Sequence, residues 1–282
     1  MKFVDPKNDI AFKKIFGSED KTQILISFLN AVLELTGDKM IQEVIILNPF
    51  QAPRLKHLKY TTLDVQAKDK RGITFIVEMQ IRGLEGSKKR FVYYTTKAYS
   101  LQLKRGIDYP KLNQVIFIGI LGYKEFENKK YLSRHLILDA ETHKHEIKEI
   151  EFNFIELPKF KKKIHELATI LDKWIYFIKH ARKLEVVPDN IDDDALQLAY
   201  EVAKKHGWTD EELELYDYWA MKAQDARGEV TWAMKKGHAE GHAKGEHDKA
   251  IETANKMLVK GMDVTLIAEL TGLSVDEVLA LT

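Results

Sequence analysis

Cysteine is absent from the 282 residues, which removes disulfides, thiolate nucleophiles and cysteine-ligated zinc from consideration. Long apolar runs are missing too: no stretch approaches the roughly 18 to 20 residues that a membrane-spanning helix needs. The opening, Met1-Lys2-Phe3-Val4-Asp5-Pro6, lacks the apolar core of a secretory signal, so a cytoplasmic protein with no membrane partner is expected. Net charge is nearly absent as well, at +1. What is present, 45% hydrophobic and 31% charged residues, is the balance of a globular chain rather than a disordered one. A chain of this length can bury a large core, as one domain or as one plus an appendage.

The near-zero net charge conceals segregation. Residues 82 to 111 hold eight Lys or Arg against Glu85 and Asp108, and residues 159 to 183 hold eight against Glu166 and Asp172. Residues 189 to 225 reverse this, with eleven acids and three bases. Segregation of this kind lets one face attract phosphate while the whole stays neutral, although solvated helix faces produce the same statistic.

Periodicity supplies the elements. Ile24, Leu25, Phe28, Leu29, Val32 and Leu35 form a helical stripe that stops at Gly37. Val44 to Leu47 reads as a strand ended by Asn48-Pro49. Residues 60 to 68 and 72 to 81 alternate about Lys68-Asp69-Lys70-Arg71-Gly72, which predicts a hairpin. A helix fits Ser87 to Arg105, closed by Gly106, and Val115 to Leu121 reads as a buried strand. Strands over Leu132 to Asp139 and Ile147 to Ile155 follow, then a basic helix carrying Trp174, Tyr176 and Phe177. From Asp192 onward every signal is helical, with capping boxes at Thr209 to Glu212 and Ser274 to Glu277. Divisions are expected near Pro188 and Gly237: residues 1–188, an acidic helical region 189–236, and a Gly/His-rich helical linker with a small helix-turn-helix-like tail, 237–282.

Within the hairpin, alternation sets Leu63, Val65 and Ala67 on one face and Thr62, Asp64 and Gln66 on the other. On the partner strand Thr74, Ile76, Glu78 and Gln80 share a face. The register places Asp64 nearly across from the stretch Ile76 to Glu78. Two carboxylates and an amide then converge on one side of a sheet, and two such acids attract a divalent cation; magnesium takes oxygen ligands of this kind. Polar side chains on a half-exposed hairpin are common, so the pair gains weight only from its setting. That setting is a helix, three strands, a helix and a strand.

An αβββαβ order with an acid on the second strand and Glu-x-Gln on the third resembles the PD-(D/E)XK nuclease core. More narrowly, Asp9 to Gly17, Ile26-Ser27-Phe28-Leu29-Asn30, Val77-Glu78-Met79-Gln80, Arg90 to Gln102 with Tyr94 and Tyr99, Gly106-Ile107-Asp108-Tyr109 and Ile155 to Phe160 resemble the recombination-promoting nuclease (transposase) family. The resemblance covers roughly residues 1 to 190. It implies an α/β, restriction-endonuclease-like core with a mixed sheet, followed by an all-helical C-terminal region. It also implies a DNA endonuclease acting in recombination or mobile-element processing, with Asp64 and Glu78 as ligands of Mg2+ or another divalent cation.

Gln80 stands where most of the superfamily carries lysine. A lysine stabilises developing negative charge, whereas glutamine only hydrogen-bonds. Lys97 on the following helix and Lys13 near the N-terminus are the candidates to supply that charge. Asp9 is either a third acid or the N-cap of the helix around Phe12. Lys88, Lys89 and Arg90, with Lys161, Lys162 and Lys163, are the expected contacts to the DNA backbone. The Gln80 substitution keeps open an alternative, a catalytically silent nucleic-acid-binding or interaction protein on the same fold.

The tail offers weaker signals. His238, Glu240, His242 and His247 allow a metal site, but a solvated helix accounts for them as well. Gly237, Gly241 and Gly245 recur every fourth residue, which predicts fraying or close packing on a partner. Residues 261 to 282 look like a small helix-turn-helix, yet its second helix begins Val275-Asp276-Glu277-Val278, which repels phosphate. Packing or self-association through these helices is therefore expected in preference to base reading, and a transcriptional regulator is disfavoured.

Overall fold

The computed structural model describes residues 2–47, 50–51, 61–62, 64–103 and 108–282. Two helices, α1 (Asp9–Phe16) and α2 (Thr22–Leu33), open the chain. Next come β1 (Val44–Leu47), the small pair β2 (Phe50–Gln51) and β3 (Thr61–Thr62), and the hairpin strands β4 (Val65–Asp69) and β5 (Thr74–Gln80). Helix α3 (Ser87–Leu101) leads to β6 (Val115–Leu121), β7 (Leu132–Leu136) and β8 (Ile150–Glu156). Three helices complete the larger unit: α4 (Ile170–His180), α5 (Asp194–Ala203) and the start of α6 (Asp210–Val259). Helices α7 (Val264–Thr271) and α8 (Val275–Leu279) close the chain.

One six-stranded sheet, in the order β1-β4-β5-β6-β8-β7, organises the fold. The β1–β4, β4–β5 and β7–β8 pairs are antiparallel, while β5–β6 and β6–β8 are parallel. This is the expected α/β fold with a mixed sheet. Strand β6, Val-Ile-Phe-Ile-Gly-Ile-Leu, is buried along its whole length, as a central parallel strand covered on both faces must be. Its odd and even residues serve two cores. Ile116, Ile118 and Ile120 join Phe12, Phe16, Phe28, Trp174 and Phe177 from the helices. Val115, Phe117 and Leu121 meet Ile76, Phe154, Phe91 and Ala98, the last two on α3.

The acidic stretch after Pro188 belongs to the larger core. Leu196, Ala199, Tyr200, Ala203, Trp208 and Tyr216 are buried in it, and Val4 donates its amide to the Ala203 carbonyl at 2.9 Å. The Tyr216 hydroxyl accepts from Asp5 N at 2.9 Å. Compact packing divides the chain into Met1–Trp219 and Ala220–Thr282, rather than at the composition changes near Pro188 and Gly237. The acids lie on the outer faces of amphipathic helices whose inner faces are apolar, which charge counting does not register.

Helix α6 runs unbroken through Gly237, Gly241 and Gly245. A β-carbon at any of the three would meet no atom within 4 Å among the described residues. Replacing Gly241 with Ala is expected to raise the helicity of this segment, by about 1 kcal/mol in local helix stability; circular dichroism through thermal melting would show it. In the smaller unit Ala254, Ile267, Ala268, Leu273 and Val278 form a core. Asp263 caps α7, Gly272 closes it at φ +75°, and the Ser274–Glu277 box opens α8, all as predicted.

Other differences are local. Helix α3 ends at Leu101, β7 at Leu136, and the helix bearing Trp174 begins only at Ile170, leaving Lys161 to Lys163 on extended chain. Asn48, Pro49, Leu63 and Gly106 lie outside the described residues.

Candidate active site

The β4–β5 turn fixes the register on which the site depends. Asp69 Oδ1 accepts from the Arg71 and Ile73 amides, both at 3.0 Å, and Gly72 takes φ +87°. That positive φ is what favours glycine, and a side chain there would also displace the Asn113 side-chain amide, 2.7 Å from an ideal β-carbon. From this turn Val65 falls opposite Val77, and Asp64, one residue beyond the ladder, comes to Glu78.

The two acids hold each other's strands. Asp64 N donates to Glu78 Oε1 at 3.0 Å, and Met79 N donates to Asp64 Oδ2 at 2.7 Å. Each carboxylate thus has one oxygen fixed by a backbone amide and its orientation set. Glu78 is only 6% exposed. Burial pushes Asp64 up to about 7, with the nearby acid Asp9 adding to the rise and the Met79 amide and Lys13 opposing it. Burial, then the charge of Asp64, pushes Glu78 up to about 8, against the pull of Arg90 and Lys13. Near neutrality such a pair shares a proton or needs a cation.

Gln80 lies on the same face of β5, two residues on. Its Nε2 donates to Ser87 Oγ at 3.3 Å. Ser87 Oγ spends its own proton on Leu84 O at 2.7 Å, so only the NH2 side of the amide can face it. The Gln80 carbonyl oxygen is consequently buried without a partner among the described residues. Two carboxylates with restrained geometry make an oxygen donor pair, which fits a hard divalent cation, and the Gln80 amide oxygen lies on the same strand face. Among the described residues no group of three or more His, Cys, Asp or Glu side chains is placed to hold a metal. Magnesium needs only one or two carboxylates, with water and phosphate supplying the rest. The histidines of α6 do not gather: His242 pairs with Glu246 at 3.3 Å and His247 with Glu277 at 3.8 Å.

Helix α1 contributes what strand alternation could not reveal. Asn8, not Asp9, is the N-cap, its Oδ1 accepting from Ile10 N at 3.0 Å. Asp9 is thereby free to stand beside Asp64. Lys13 bridges the two, 3.0 Å from Asp9 Oδ2 and 3.9 Å from Asp64 Oδ1. Lys97 is not among the leading charges acting on either acid; its ammonium lies over the Tyr93 ring at 5.7 Å. Arg90 does act on Glu78, and its guanidinium lies over the Tyr94 ring at 5.4 Å. Ser87, Arg90 and Tyr94 share one face of α3, and that i, i+3, i+7 spacing is the signal which could have grouped them.

The expected phosphate contacts divide. Lys89, Lys161 and Lys163 are exposed, and Lys88 pairs with Glu125 at 3.6 Å. Lys162 is turned inward, its ammonium 2.7 Å from Oδ2 of the fully buried Asp172, which also accepts from Tyr131 Oη. A lysine needed to neutralise a buried carboxylate is ill suited to leave it for a phosphate.

A family model described as PD-(D/E)XK nuclease family transposase matches residues 6–231. A second, described as Rpn/YhgA-like nuclease family, C-terminal HTH domain, matches residues 247–282. Neither the curated proteins nor the solved structures yield a match to the chain.

Proposed function

The chain belongs to the PD-(D/E)XK nuclease family of transposases, and from that premise we propose that it is a divalent-metal-dependent DNA endonuclease serving recombination or mobile-element processing. The observation that carries this reading is the Asp64–Glu78 pair, locked across the hairpin and held in a proton- or cation-demanding state. Asp64 and Glu78 are the residues that would hold the cation. When bound, such an ion lowers the pKa of a coordinated water and neutralises phosphate oxygens.

The rest is the work of the chain's own groups. Hydrolysis joins a water oxygen to phosphorus and breaks one P–O bond to a sugar. One proton leaves the water and one reaches the departing oxygen. The carbonyl oxygen of Gln80, which has no partner among the described residues, can accept a hydrogen bond from that water and orient it. Lys13 holds Asp9 and Asp64 together in one acidic cluster. Lys88, Lys89, Lys161 and Lys163 would position the backbone without reading sequence. The tail's α8 opens with Asp276 and Glu277, so phosphate binding is assigned to the larger unit.

The test is incubation of supercoiled plasmid with the full chain, with magnesium and then with chelator. Nicked or linear product only with the metal supports the reading. Intact DNA bound with a steep salt dependence would favour the silent binder, for which Gln80 in place of lysine is the specific argument. The double substitution Lys161→Glu, Lys163→Glu should lower the slope of log affinity against log salt by about 2, near one per phosphate contact. Cleavage at saturating DNA should be unchanged in that variant.

A further inference from the structure

Gln80 leaves strand β5 without the positive charge that phosphodiester hydrolysis uses, and the cations to weigh in its place are Lys13 on α1 and Lys88, Arg90 and Lys97 on α3. Lys13 is engaged with Asp9 and Asp64. Lys88 is drawn to Glu125 and lies over Phe126 at 5.3 Å. Lys97 lies over Tyr93. Arg90 differs: its Nε is buried and has no hydrogen-bond partner among the described residues. Leaving a buried donor unsatisfied costs about 1 to 3 kcal/mol, more for a charged group, so an open N–H in this position favours a side-chain movement that brings it an acceptor.

Arg90 is well placed to meet one. It follows Ser87, whose hydroxyl holds the Gln80 amide, by three residues on α3. Its charge is felt at Glu78, Tyr94 and Tyr123, three groups from three different segments. The Tyr94 ring lies under the guanidinium, a contact that restrains its plane. Guanidinium keeps its charge when desolvated, where a lysine ammonium loses its proton more readily, and its planar fork matches the oxygens of a phosphate.

We infer that Arg90 replaces the missing strand lysine, contacting a non-bridging oxygen of the scissile phosphate and stabilising the charge that gathers there as the P–O bond breaks. Arg90 is then a catalytic residue rather than one more contact along the duplex. This rests on the nuclease reading above. Gln80 and Arg90 divide the lysine's two tasks: the amide oxygen orients water, and the guanidinium takes up charge. Both have a buried polar atom with no partner among the described residues.

The experiment uses the full chain, with single-turnover cleavage at saturating duplex in magnesium and duplex affinity in calcium. Arg90→Ala should cut about 100- to 1000-fold more slowly at saturating duplex, a loss far beyond the modest drop in affinity and the roughly one unit of salt slope that one lost phosphate contact accounts for. Adding Gln80→Lys to Arg90→Ala should recover at least tenfold of the lost rate, a rescue that a purely structural Arg90 would not permit. Arg90→Lys, which keeps the charge and the stem packing, should fall between them and serves if the alanine variant does not fold. Independently of turnover, one arginine Nε–H resonance should shift when duplex is added in calcium, and that resonance should be missing from Arg90→Lys. If Arg90→Ala cuts at the normal rate once saturated and loses only affinity and about one unit of salt slope, Arg90 is a duplex contact and the inference falls. If the unaltered protein cleaves but Gln80→Lys rescues nothing and no arginine resonance moves, the inference falls while the nuclease reading stands. An unaltered protein that never cleaves overturns both.

Discussion

Asp64→Ala should leave a protein that holds DNA and cannot cut it. The substitution removes one of the two proposed anionic ligands and the carboxylate oxygen that accepts from the Met79 amide. It leaves intact the bond from the residue 64 amide to Glu78 Oε1, which is made by backbone. The hairpin therefore keeps its register, set by the Asp69–Gly72 turn. Cleavage should fall about 1000-fold or more, the loss of roughly 4 kcal/mol of transition-state stabilisation. Affinity for duplex should be unchanged or slightly higher, because a negative charge near phosphate has gone. Gel-shift and cleavage assays on the same preparation separate the two quantities. Parallel loss of binding and cutting would mean that Asp64 supports the DNA-binding surface instead of the chemistry.

The second large effect is on stability and carries the opposite sign from most core substitutions. Asp64 and Glu78 both have folded-state values raised, to about 7 and about 8, above those of the free side chains. The metal-free folded protein thus binds protons more tightly than the unfolded chain. Its stability must fall as pH rises from the ordinary carboxylate range through about 8. Glu78→Gln should therefore stabilise the metal-free protein by roughly 2 to 4 kcal/mol at pH 8, about 5 to 10 °C in melting temperature, and by little at pH 5. The full linkage of the two groups is less than their sum, since their mutual repulsion is shared. Magnesium should stabilise the unaltered protein at pH 8 and leave the variant nearly unmoved. A variant less stable at every pH would show that Glu78 is a structural acid satisfied by its amide bond, not a strained ligand.

These two results would come from residues that sequence alone could place. The turn at Asp69 to Gly72 and strict alternation on both sides fixed the register, and the structure brings Asp64 to Glu78 as alternation required. Lines of one-residue logic end there. Asp9 and Lys13 reach the pair because α1 packs beside the start of β4, with Gly17 close to Val65. No periodicity encodes a contact across fifty residues. Arg90 was legible as a DNA-backbone contact but not as a neighbour of Glu78, since three adjacent cations look alike until the helix face is known. Lys162 erred in the other direction: its charge advertised a phosphate contact, but buried Asp172 claims it. The acidic region after Pro188 misled in a similar way, because outward charges masked the inward Leu196, Tyr200 and Trp208.

The most direct measurement of the central claim is calorimetric titration of magnesium into the metal-free chain at pH 8, repeated at pH 6.5 and in Asp64→Asn and Glu78→Gln. The pair predicts one saturable site at pH 8, release of a proton visible as a heat that depends on the buffer, and an affinity that weakens up to about tenfold per pH unit lost. Each variant should bind far more weakly, since each removes one proposed anionic ligand. Equal affinity in the unaltered protein and both variants would contradict the claim and place any metal, and any cleavage it supports, elsewhere on the chain.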